Sequence, residues 1–200
     1  MPRFDLNLQQ EHQLTREAVM LNVELLTEAQ YRHASHYLNQ LKTATERFKG
    51  DQINEAFTKF ERDWLQIQRG HAWASAQGDD PRALELLGTF AIQGLVLLEL
   101  RQNTPDRVCW LQQGLEAAHK LDDLTAQAHH HLQLARVYLV PSATEQGIYH
   151  AEQAQAIANR LDDALTLART LLVLSNHLTR KGDYHTAKTN LERSLEIARE

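Results

Sequence analysis

Eleven histidines in 200 residues, three of them consecutive at His129-His130-His131, make metal coordination the first chemistry to consider. A zinc-type site needs imidazoles that converge, and on a helix convergence requires spacings of three or four. Consecutive residues instead point about 100° apart, so these three rings fan around the axis. His33 and His36 do share a face, but no HExxH pattern and no cysteine partner accompanies them. No metal site is therefore expected; the alternatives are solvated histidines and, for His131, a filled core position. Acyl transfer or hydrolysis would need a nucleophile, a base and an orienting group, and no motif supplies such a set. None of the eight glycines stands in a GxxxxGK[ST] loop that could cradle phosphates. Asp122-Asp123 and Asp162-Asp163 sit where turns are expected, and helix capping explains them without catalysis. The lone Cys109, beside Trp110 in a helical pattern, reads as a core thiol. No catalytic residue and no cofactor is expected, which leaves binding as the kind of function to look for.

The elements that would position a binding site are written twice in the last eighty residues. Leu121-Asp122-Asp123 returns forty residues later as Leu161-Asp162-Asp163; Ala128, Leu132 and Leu134 recur as Ala168, Leu172 and Leu174, and Glu152, Ile157 and Ala158 as Glu192, Ile197 and Ala198. A self-similar unit of this size, with two helix-length apolar patterns and no strand signal, implies helical hairpins that bury their faces only on neighbours. Upstream, residues 8–48 read as helix throughout, with only a weak break signal near Thr27 to Gln30. In its first part Leu14, Val19, Leu21, Val23, Leu25 and Leu26 are crowded enough to predict burial on more than one side. Gly50-Asp51 should end this stretch and cap the next helix. There Phe57, Phe60, Trp64, Ile67, His71 and Ala74 form one stripe at steps of three and four, a core face rather than a ligand box. Asp80-Pro81 is expected to open a helix as N-cap and first residue, and Thr104-Pro105-Asp106 another. Ser142 to Glu145 spells a capping box after Pro141, and Gly182-Asp183 makes the last turn.

Inside the second copy, Leu171-x-x-Leu174-Ser175-x-x-Leu178 followed by Gly182-x-Tyr184-x-x-Ala187-x-x-x-Leu191-x-x-Ser194 resembles the tetratricopeptide repeat. The first copy, His131-x-x-Leu134-Ala135-x-x-Tyr138 and then Gly147-x-x-x-Ala151-x-x-Ala154, follows it less closely, with Pro141-Ser142 where the family has its turn glycine. More widely, Arg32-His33-x-x-x-Tyr37-Leu38, Phe60-Glu61 with Ile67 and Ala72-Trp73-Ala74, Ala83-Leu84-x-Leu86, and Trp110-Leu111-x-x-Gly114-Leu115-x-Ala117-Ala118 come in the order seen after the nucleotide-binding and winged-helix domains of bacterial STAND-type regulators. Gln66 departs from that family, which usually has Asn there. The resemblance implies an all-α fold: a right-handed solenoid of hairpins over residues 79–200, in units of about 81–120, 121–160 and 161–200, with an N-terminal helical cap over residues 1–78. Leu134, Leu174, Tyr138, Leu178 and Leu191 should then be nearly inaccessible. The helix from Thr186 to Ala198 is still in pattern at Glu200, so the chain reads as ending inside a longer array, with Ala187, Leu191, Leu195 and Ala198 offering an apolar face for self-association.

In tetratricopeptide arrays the first helix of each hairpin lines a concave surface. The resemblance places His129, Leu132, Arg136 and Leu139 there from one hairpin and Arg169, Leu172, Asn176, Thr179 and Arg180 from the next. Guanidinium and amide groups suit carboxylates and extended peptides, because they donate in fork geometry and can satisfy a backbone. The implied function is a non-enzymatic sensor or scaffold module that binds an acidic protein or peptide segment; a small-molecule effector pocket and an oligomerisation or autoinhibition surface are the alternatives. With 26 acidic against 21 basic residues the chain is not built to coat nucleic acid. No stretch has the length and apolarity of a signal peptide or membrane span, which implies the cytoplasm.

Overall fold

The computed structural model describes the backbone of residues 3–50 and 52–199, and the side chains of Gln13, of residues 16–50 and of residues 52–199. Among these residues every regular element is helical: α1 (Arg3–Lys49), α2 (Ile53–Ser75), α3 (Pro81–Gln93), α4 (Leu95–Arg101), α5 (Thr104–Lys120), α6 (Leu124–Val137), α7 (Thr144–Arg160), α8 (Ala164–Lys181) and α9 (Tyr184–Ile197), with a 3₁₀ turn at Pro141–Ala143. The protein is all-α. Contacts run chiefly along the chain, α1 on α2, α2 on α3 and each helix from α5 to α9 on the next, with α3 on α5 past the short α4, α1 on α3 and α6 on α8 as the main skips.

α1 is one helix through Thr27 to Gln30, in line with the reading of residues 8–48 as helix throughout. Residues 27–30 contain no Gly or Pro, and Glu28 pairs with Arg32 one turn on at 2.9 Å. The expected burial of its first half is not found. Val19, Leu21, Val23, Leu25 and Leu26 are all at least 56% exposed, because α2, with 23 residues, can cover only about half of a 47-residue helix. Leu14 and the proposed Asp51 cap fall outside the described side chains, and the residue flanking α2 is Gln52, which makes no side-chain cap.

The second half of α1 is the packed half. Its Ala34, Leu41 and Ala44 meet Phe60, Ile67 and Ala74 of α2 and Leu84, Leu87 and Phe90 of α3 in one core, so the aromatic stripe on α2 is a core face except at Phe57, which is exposed. Cys109 is exposed, contrary to the sequence reading; on α5 it is Leu111, Gly114, Ala117 and Ala118 that face inward. Of the five residues expected inside, Leu134 and Leu174 are buried and Tyr138 and Leu178 half-buried, but Leu191 is 42% exposed, since α9 packs chiefly on α8 and leaves its other side open.

One turn recurs three times. Asp123, Asp163 and Asp183 each accept a hydrogen bond from the backbone N–H three residues on, at 2.9, 3.0 and 3.1 Å. Each also donates its own N–H five residues back, to Ala118, Ala158 and Leu178, closing the preceding helix in a Schellman arrangement. The residue before it is left-handed every time: Asp122 at φ 52, Asp162 at φ 51, and Gly182 at φ 90. Asp80 caps α3 as expected, accepting from Arg82 N–H. Two other starts differ. α5 is capped by Asn103 rather than Thr104, through the Asp106 N–H; and no capping box forms at Ser142, because α6 already ends at Val137 and the 3₁₀ turn carries the chain to Thr144.

Between α3 and α4 the chain bends by 73° at Gly94. A Cβ there would lie 2.7 Å from the Leu41 Cδ2 atom and 2.9 Å from Leu98, so only glycine lets α1 and α4 approach so closely. The bend sets α4 against α1 and α3, its main helix contacts.

Candidate functional site

The bend creates the largest concavity described, a groove of about 840 Å³. Thr45 and Lys49 at the end of α1, Ile92 of α3, and Leu95, Val96 and Glu99 of α4 form one side. Leu132, Gln133, Arg136 and Leu139 come from α6 and the residues after it, Arg169, Leu172, Val173 and Asn176 from α8, and Arg107 from α5. Six of the nine residues proposed from sequence are therefore brought together: Leu132, Arg136, Leu139, Arg169, Leu172 and Asn176. Steps of three and four explain why α8 presents Arg169, Leu172 and Asn176 on one face. Three do not line the groove. His129 borders a smaller cavity of about 190 Å³ between α3 and α6, together with Glu85 and Asp123, and Thr179 and Arg180 are exposed near the end of α8.

Sequence reasoning missed the opposite wall. Leu95, Val96 and Glu99 join the site because α4 folds back, and the available signal was Gly94 in the middle of an apolar helical run; Thr45 and Lys49 of α1, Ile92 of α3 and Arg107 of α5 complete the lining that sequence spacing did not bring together. The lining carries four cations against one carboxylate. Arg107 pairs with Glu99 at 3.4 Å. Among the described residues Lys49, Arg136 and Arg169 make no ion pair, and the Arg136 guanidinium donates only to Gln133 Oε1, at 3.3 Å. Leu172, 48% exposed, stands between the cations while Leu132 is sunk in the floor. The Thr45 hydroxyl, on a residue 5% exposed, has no hydrogen-bond partner. Chemically this is an apolar strip edged by unpaired donors, which suits an anionic and partly apolar ligand.

The histidines do different work. His130 Nε2–H donates to the Gly88 carbonyl at 2.9 Å and His177 Nε2–H to the Ala135 carbonyl at 2.8 Å, each tying its helix to one 42 residues earlier. A carbonyl can only accept, so it fixes the Nε2–H tautomer and leaves Nδ1 bare and buried in both rings. Burial holds the His130 ring down to about 4 and that of His71, stacked 3.7 Å from Trp110, down to about 3. His131 is also held down to about 4, by burial and by its neighbours His150 and His119, and its Nδ1 lies 2.9 Å from the His150 Nδ1 atom. His33, by contrast, bonds to Gln66 at 3.0 Å, which ties α1 to α2. Among the described residues no group of three or more His, Cys, Asp or Glu side chains is arranged to hold a metal ion.

An all-α chain with a cationic groove is the class these features define. Set against protein-family models and against curated proteins, the sequence matches none. Among the described residues no single helix is long and apolar enough to cross a membrane.

Proposed function

We propose that this chain is a non-enzymatic interaction module whose groove binds an acidic, partly apolar protein segment, and that its helices form a right-handed solenoid of the tetratricopeptide kind. The observation that carries the reading is the groove itself: Lys49, Arg136 and Arg169, without an ion pair among the described residues, around Leu95, Val96 and Leu172. On a chain of net charge −5 that local excess of cations is not a by-product of composition. Three turns of one geometry at the starts of α6, α8 and α9, and the forty-residue period in sequence, support the repeat reading. The resemblance to STAND-type regulators suggests a cytoplasmic signalling context, with the module presenting a rigid surface rather than performing chemistry.

Guanidiniums beside an apolar strip hold carboxylates by paired hydrogen bonds, which gain strength where the ligand excludes water. Binding should weaken as salt rises. The test is anisotropy titration of the full chain with a library of short labelled peptides of varied Glu, Asp and Leu content, at two salt concentrations. The expected result is selective, salt-sensitive binding that is lost in an Arg136→Glu, Arg169→Glu variant and kept in Arg180→Glu, which lies outside the groove. Absence of binding by any acidic peptide, or equal binding to a folded double variant, would contradict the reading.

A further inference from the structure

The first half of α1 needs a partner. From Arg16 to Leu26 every side chain is exposed, including Val19, Met20, Leu21, Val23, Leu25 and Leu26 at 56% or more. Apolar residues this dense on a bare helix are a docking signal rather than ordinary surface. They do not share one face: Val19, Val23 and Leu26 fall on the side of the helix away from Leu21. Glu17, Leu21 and Glu24 follow one another at steps of four and three, so the face that carries Leu21 alternates carboxylate, leucine and carboxylate. From Arg3 to Leu26 there are four carboxylates against two arginines. The groove shows the reverse pattern, Arg169 and Arg136 beside Leu172 and Leu132.

The chain cannot satisfy itself. α1 is continuous, and at 1.5 Å per residue Leu21 stands roughly 36 Å along the axis from Thr45, which lines the groove. Folding back would require breaking the helix, so a groove that receives this segment belongs to another copy.

We infer that the free half of α1 docks, through its Glu17–Leu21–Glu24 face, into the groove of a second copy of the chain. This rests on the reading of the groove as a site for acidic segments and names its occupant. One helix and one groove per chain make the contact heterologous, unless two copies exchange helices reciprocally.

The test uses the full chain, its mass read by sedimentation velocity over a range of concentrations. Wild type is expected to associate, less so at high salt. An Arg136→Glu, Arg169→Glu groove variant and a Glu17→Arg, Glu24→Arg helix variant, both altered at surface positions and checked for helicity, are each expected to associate about tenfold or more weakly. Mixed together they should associate again, because each acidic helix then meets a cationic groove and each reversed helix a reversed groove. A wild type that stays monomeric, or a mixture no heavier than its parts, overturns the inference. Association lost in the helix variant but kept in the groove variant also overturns it, and leaves the peptide-binding reading of the groove standing.

Discussion

Two glycines and three histidines set the packing of the helices more than their numbers suggest. A Cβ on Gly114 would collide with the imidazole of His130, and one on Gly147 with that of His177. Gly147→Ala and Gly114→Ala should therefore each displace a buried ring and lose its bond to a backbone carbonyl. Overpacking and an unpaired donor together imply about 2–4 kcal/mol, read as a lower urea midpoint. The same burial makes stability depend on pH. His71 and His130 titrate near the ordinary histidine value of 6.5 when unfolded but only at about 3 and about 4 when folded, so below pH 6.5 the unfolded chain takes up protons first. Stability should be flat from pH 9 to 7 and fall as pH drops from 6.5 toward 4, by on the order of 2 kcal/mol per buried histidine at pH 5. Urea midpoints across that range measure the slope, and His71→Leu should flatten it. His71 was legible in the sequence as part of the α2 core stripe, and His131 as a core position, but nothing there marked His130 and His177 as buried rings bonded to a backbone carbonyl.

At the scale of the helices, much was legible where the signal is local. Asp80-Pro81, Leu121-Asp122-Asp123 and Gly182-Asp183 each carry their own capping chemistry, and the turns formed where they stand. Thr104 and Ser142 failed because a better-placed neighbour, Asn103, or an intervening 3₁₀ turn took the role. Burial was harder, since periodicity says which residues share a face but not whether another helix covers it. Leu134 and Leu191 occupy equally good helical patterns, yet one is wholly buried and the other 42% exposed. Truncation should separate them. Leu134→Ala or Leu174→Ala should cost about 2–5 kcal/mol, Leu191→Ala well under that, in denaturant unfolding. The wall formed by α4 depends on a single bend, and its three groove residues, Leu95, Val96 and Glu99, were invisible for that reason.

For the molecule as a whole, the distribution of charge matters more than its sum. A net-acidic chain gathers Lys49, Arg107, Arg136 and Arg169 around one concavity while leaving apolar surface bare at both of its ends, on α1 and on α9. Those cations should steer an acidic segment to the groove and lose reach as salt shortens the screening length. An Arg136→Glu, Arg169→Glu variant should accordingly lose binding with little loss of stability, because neither side chain is in the core. That the groove, rather than either bare end, is where such a segment lies can be measured directly, by methyl resonances of the full chain during titration with the tightest acidic peptide. The expected result is shifts concentrated at Val96, Leu95, Leu132 and Leu172, with Leu165, Leu191 and Leu195 unmoved. Shifts centred on α9 or on the outer residues of α8, with Val96 and Leu172 silent, would contradict it.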